Sequence, residues 1–155
     1  MQRTHIFLAV ALAGAVSVSA AAGAQGGVPA AHASRAAKVQ LRHTSLGNIL
    51  VTSSGFTLYE FTRDHTNRNS CVTIRECPES WPAYQTRGRP VAGPGVRGAL
   101  LSTIRLPGGK TQVTYAHHPL YLYSGDSGPG ETSYVGESAF GGRWYALNSS
   151  GRTVK

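Results

Sequence analysis

Leu58 to Asp64 reads LYEFTRD and Leu120 to Asp126 reads LYLYSGD, so Leu-Tyr-x-aromatic-x-x-Asp occurs twice in one chain of 155 residues. The likeness extends beyond the motif. Residues 62 apart match at Val51 and Val113, Thr52 and Thr114, Leu58 and Leu120, Tyr59 and Tyr121, and Asp64 and Asp126, with Phe61 on Tyr123. One further residue of slip brings Trp81 onto Trp144, WPAY onto WYAL. Tandem duplication at a period of about 60 residues predicts paired supersecondary units rather than two free domains. Units of that size bury too little on their own, so the two halves are expected to share one core.

The elements within each half read as strands. NILVTSS, then Gly55, then FTLYEFT gives a hairpin signal, imperfect around Tyr59. The device recurs where Leu100 to Arg105 leads into Pro107-Gly108-Gly109 and Gln112 to Tyr115 returns, and a last hairpin is expected about Ser149-Ser150-Gly151. No stretch of eleven or more residues beyond the N-terminal run has a 3.6-residue period. One helical turn is expected in ECPESWPAY, opened by Pro78 and Glu79 and ended by Pro82. The expected fold is all-β: a single domain of two packed tandem repeats, about eight short strands, one helical turn and one disulfide.

Residues 1–24 carry Arg3, an apolar and small-residue run from Ile6, and Ala22-Gly23-Ala24 at the end, the pattern of a secretory signal peptide cut after Ala24. A transmembrane anchor is the competing reading, but Gly14, Ser17, Ser19 and the alanines make the run weakly hydrophobic, and no later stretch has the ~20 apolar residues of a span. Residues 25–44, rich in Ala and Gly and free of acidic residues, read as a flexible basic linker. The all-β domain is then expected over residues 45–155, with repeat 1 over about 46–84 and repeat 2 over about 108–147.

Cys71 and Cys77 are the only cysteines, and in an oxidising compartment such a pair forms a disulfide. The C-x5-C spacing fits neither a thiol redox motif nor usual zinc spacing. The ring it closes is short, so it pins a loop. The formal net charge is +8, yet the arginines are scattered singly, at Arg63, Arg68, Arg75, Arg87, Arg89, Arg97 and Arg105. Attraction to acidic envelope components fits that pattern and an exported location better than nucleic acid does.

The residues that carry chemistry fall into few groupings. Tyr59 and Phe61 share one face of a strand, as do Tyr121 and Tyr123, with Asp64 and Asp126 just past the strand ends. They read either as aromatic shelves beside carboxylates or as core rings with turn-forming aspartates that accept backbone N–H groups. Repetition at the same place in both halves favours the structural reading. His117 and His118 are adjacent and point to opposite faces, so one metal cannot easily take both. His65 could join His117 only if the repeats face each other. For calcium, DHTNRNS puts Arg68 where an oxygen ligand is needed, and DSGPGE offers only Asp126 and Glu131. Catalytic motifs of hydrolases, zinc proteases and phosphate loops are absent, and spacing singles out no carboxylate pair among Glu60, Asp64, Glu79, Asp126, Glu131 and Glu137.

TLYEFTRD, the cysteine pair, CPESWPAY, VTYAHHPLYLYSGD, GPGE and FGGRWYALNSSG together resemble the secreted repeat or lipoprotein-repeat family of bacterial envelope proteins, marked by a Tyr-x-aromatic-x-x-Asp motif. The resemblance runs from Leu46 to Gly151 and implies fold and location without implying an activity. Many members are lipoproteins, whereas the first cysteine here is Cys71, so release into periplasm or medium is expected in place of a lipid anchor. The expected function is a non-enzymatic exported binding or interaction module, with no cofactor and with an acidic envelope component or an envelope protein as partner. Two alternatives stand beside it. A metal, haem or small-ligand carrier would use the face near His117, Tyr121, Tyr123 and Asp126. A polysaccharide-acting enzyme would need two perturbed ionisable groups in one cleft.

Overall fold

The computed structural model describes residues 36–155, so the expected signal peptide and the first part of the linker lie outside the described residues. The expected linker to residue 44 is corrected by the first strand. β1 (Lys38–Thr44) pairs antiparallel with β2 (Gly47–Thr52) from Val39 opposite Thr52 to Thr44 opposite Gly47. Val39 is fully buried and Leu41 packs against the same core, while Lys38 and Arg42 point away or lie at the margin. Lack of acidic residues made this stretch look like a tether, but its inside–outside alternation is that of a strand.

β2 was expected to fold back on FTLYEFT, and part of that turn exists. Val51 bridges Thr57, and the Leu58 N–H donates to the Leu50 carbonyl at 3.0 Å. The full ladder of β2, however, goes to β1. The continuing strand β3 (Tyr59–Phe61) pairs elsewhere, antiparallel to β9 (Gly142–Leu147). β4 (Val91–Ala92) adds a short parallel edge to β1.

The second expected hairpin is present as drawn from the sequence. β5 (Leu101–Arg105) and β6 (Thr111–Tyr115) are joined through Pro107–Gly109, where Gly108 and Gly109 have φ of 77° and 75°. Positive φ at both positions is what glycine permits without strain. β6 also pairs with β7 (His118–Pro119), β8 (Ser138–Ala139) pairs with β9, and β10 (Thr153–Val154) closes the C-terminal hairpin about Gly151. The described residues thus form ten short strands in three sheets, against about eight expected; four of the ten, β4, β7, β8 and β10, are only two residues long. The expected helical turn is α1 (Cys77–Ser80), and the disulfide joins its first residue to Cys71 with the Cα atoms 5.4 Å apart.

The halves are threaded through each other. Tyr59, Glu60 and Phe61 lie opposite Ala146, Tyr145 and Trp144, so the Leu-Tyr strand of repeat 1 pairs with the tryptophan strand of repeat 2. The converse pairing holds as well. Ala83 bridges Tyr121, the Tyr84 N–H donates to the Leu120 carbonyl at 2.8 Å, and the Leu122 N–H donates to the Pro82 carbonyl at 3.0 Å. Between these two pairings, Tyr59 and Tyr121 exchange both backbone hydrogen bonds at 2.9 Å. The two copies of the motif therefore meet back to back at a centre of approximate two-fold symmetry.

Candidate functional site

The repeated motif converges on an aromatic column. Phe61 stacks on Trp144 at 4.1 Å between ring centroids, Trp144 on Trp81 at 3.7 Å, and Trp81 on Tyr123 at 4.6 Å. The order alternates between repeats: the aromatic of each motif covers the tryptophan of the other. Tyr59 meets Trp81 edge-on and Tyr121 meets Trp144 edge-on, both at 5.2 Å. Offset and edge-on contacts of this kind add to the burial of large rings. Both tryptophans, Tyr59, Phe61 and Tyr121 are essentially inaccessible to solvent.

The motif aspartates finish the arrangement crosswise. The Tyr121 hydroxyl donates to Asp64 Oδ2 at 2.6 Å, and the Tyr59 hydroxyl donates to the two Asp126 oxygens at 3.2 and 3.3 Å. Asp64 Oδ1 also accepts the Ser70 N–H at 2.6 Å, the turn-forming role expected from its position. Each buried phenol thus gains an acceptor, and each carboxylate a donor, from the opposite repeat. The sequence placed the rings in the core and the aspartates at turns; it did not disclose the exchange of partners.

Burial pushes the carboxyl groups of Asp64 and Asp126 up to about 6, outweighing the tyrosine hydrogen bonds that act the other way. Burial, and next the neighbouring aspartate charge, drives the Tyr59 and Tyr121 phenols above their usual range. A second ionisable pair escaped the sequence reading. Glu60 is buried between His118 of β7 and Thr153 of β10, with Oε2 at 2.7 Å from His118 Nδ1 and Oε1 accepting the Thr153 hydroxyl at 2.7 Å. Burial opposes ionisation of Glu60, but the bonds from His118 and Thr153 prevail and hold it below its ordinary value; the same bond raises His118. Alternation along Tyr59-Glu60-Phe61 was the available signal, since Glu60 must face away from the aromatic side.

Because these shifts have known signs, they fix a stability profile. Each aspartate holds its proton more tightly when folded than at the usual 3.8, so its contribution is complete in acid and is lost as pH rises through about 6. His118 acts in the same direction, its contribution being present below its usual 6.5 and lost as pH rises through its higher folded value. Glu60 contributes above its usual 4.5, and that is lost as pH falls through its lower folded value. The thermal midpoint is expected to be highest near about pH 4 to 4.5, to fall as the pH rises to about 6 and to fall further, through His118, above 6.5; Asp64→Asn is expected to flatten the first part of that fall. A midpoint that is level from pH 5 to 8 in calorimetry contradicts the assignment.

The histidines expected as metal candidates sit on adjoining loops. Ala116 and His117 form a tight turn with φ of 48° and 70°, and the His117 ring lies 3.1 Å from the Asn67 amide through Nδ1. His65 pairs with Arg68 across its own turn and is exposed. Among the described residues no three His, Cys, Asp or Glu side chains gather as metal ligands. Of the residues expected to line a carrier face, Tyr121 is buried with its hydroxyl on Asp64, and the half-buried Asp126 accepts the Tyr59 hydroxyl. No helix among the described residues is long and apolar enough to cross a membrane.

Outside the column the surface offers shallow grooves. One is lined by Arg63, His65 and Arg68 beside the segment from Asn69 to Ile74. Another lies between the disulfide loop and Pro107, with Pro78, Pro82 and Leu106 on its walls. Residues 102–148, which include β6, the second motif and Trp144, match a family described as a secreted repeat of unknown function. Neither the comparison with curated proteins nor that with solved structures finds a match.

Proposed function

We propose that this chain, which carries a secreted repeat and a disulfide suited to an extracytoplasmic setting, is an exported, non-enzymatic binding module of the bacterial envelope or extracellular space. Residues 1–24 serve as its cleaved signal peptide in this reading. The observation that carries it is the crosswise bonding of Tyr59 to Asp126 and Tyr121 to Asp64. The residues that give the motif its chemical appearance are spent on joining the repeats. Recognition is left to the loops around that core, as is common where a rigid scaffold positions exposed segments. An excess of basic over acidic residues, +8 in formal charge, supports an acidic partner.

Native mass spectrometry with elemental analysis, on protein isolated from its own host before any chelator is added, tests this. The expected result is a bare polypeptide beginning at Gln25. A stoichiometric metal, haem or organic adduct overturns the reading in favour of a carrier, and a retained N-terminus overturns the assignment of residues 1–24.

A further inference from the structure

We propose that the groove beside the first motif, between Arg63, His65 and Arg68, is an anion-binding subsite for the repeated carboxylate or phosphate groups of an acidic extracellular glycan. The inference rests on the binding-module reading and names its ligand class. Its starting point is that the sequence scatters its arginines, whereas the fold gathers two of them with a histidine. His65 and Arg68 face each other across a tight turn closed by the Arg68 N–H to the His65 carbonyl at 2.9 Å, and Arg63 lies one residue before the motif aspartate.

What the groove lacks is as telling. Asp64, the nearest acid in sequence, is turned inward to Tyr121 and to the Ser70 N–H. Among the described residues Arg63, His65 and Arg68 make no ion pair. The uncharged polar groups at the rim are already engaged. Asn69 Nδ2 donates to Gln112 Oε1 at 2.8 Å, the Ser70 hydroxyl donates to the Arg63 carbonyl at 2.9 Å, and the Thr73 hydroxyl donates to the Ser70 carbonyl at 3.0 Å. A neutral sugar would therefore find few free partners, and the donors that remain are cationic. Arg63 Nη1 is held to the Phe140 carbonyl at 2.9 Å, which fixes the side chain and leaves its other N–H groups for a ligand.

The floor is rigid. Asn69 is tied through Gln112, a fully buried side chain, and the following residues are fixed by the Cys71–Cys77 disulfide. The Arg63 guanidinium, held by Phe140, loses less freedom on binding an anion than a free one does. Both arginines are exposed, so attraction should be strongly screened by salt.

Titration of the intact protein with polygalacturonate, with inorganic polyphosphate and with neutral dextran, together with sedimentation on envelope fragments from its host, tests the proposal. Binding of either polyanion, or both, without dextran is expected, weakened on going from about 0.05 M to about 0.5 M salt. Which polymer binds more tightly tells carboxylate from phosphate. Arg63→Ala with Arg68→Ala is expected to weaken it about tenfold or more, while Arg87→Ala with Arg89→Ala, which removes equal charge elsewhere, leaves it within about twofold. Arg68→Ala alone, which spares the Phe140 contact, should already show a loss. Equal weakening by both double variants, dextran binding, or no polyanion binding overturns the groove. Envelope binding that survives Arg63→Ala with Arg68→Ala overturns the groove and leaves the module reading intact; wild-type protein that ignores the envelope overturns both.

Discussion

Two fragments made by cutting the chain at Gly109 are each expected to be unfolded, with no cooperative melt and with the tryptophan emission of solvent-exposed indole. The reason lies in the partners. The cut leaves β3 in one fragment and its ladder partner β9 in the other, and it separates the Ala83 bridge to Tyr121 and both tyrosine–aspartate pairs. Each fragment would also carry half of the Phe61, Trp144, Trp81 and Tyr123 column. Fragments of that size bury too little apolar surface to offset chain entropy even when their own contacts are kept. Mixing them is expected to restore the native circular dichroism, because the cut falls in an exposed turn. A fragment that melts cooperatively alone contradicts the interleaved architecture.

Trp144→Ala is expected to be the most damaging single substitution. Trp144 is stacked on both faces, by Phe61 and Trp81, and touched at its edge by Tyr121. Removing a fully buried tryptophan costs about 3–5 kcal/mol, a large share of the ~5–15 kcal/mol that holds a domain of ordinary size. The thermal midpoint should fall by about 15 °C, and more where the fold is marginal. Trp144→Phe keeps one stacked ring and should lose roughly half as much. The indole Nε1 of Trp144 has no hydrogen-bond partner among the described residues, so phenylalanine leaves no acceptor stranded. Equal losses for the two substitutions, measured by calorimetry, would show that stacking contributes little here.

Much of this was legible in the chain because its cause was local. The β5–β6 hairpin follows from Pro107-Gly108-Gly109 between alternating segments, α1 from Pro78 at a helix start, and the disulfide from two cysteines close together. The duplication foretold a shared core, since both motifs put rings at the same relative positions. What the chain hid was non-local. Nothing in LYEFTRD says that its tyrosine will bond the aspartate of the other copy, because a swapped and an unswapped pairing have the same local pattern. Lys38–Thr44 was masked by its basic, alanine-neighboured composition although Val39 and Leu41 alternate with polar residues. His118 looked like one of two adjacent turn histidines, and only the approach of β3 to β7 makes it the partner of Glu60.

The interleaving also governs the order of events in folding. β3 cannot find its ladder until β9 exists, and Tyr59 and Phe61 must wait for residues as distant as Ala146 and Trp144. Contacts so far apart along the chain are slow to form, since the intervening loop must be closed before any contact rewards it. β1 with β2 and β5 with β6, joined by short turns, are the elements able to form early. A chain that crosses a membrane in the N-to-C direction would therefore remain open, its rings uncovered, until nearly all of it had emerged. The two early hairpins would shield only part of that surface, which makes the interval between emergence and closure the period when such a molecule most needs a chaperone.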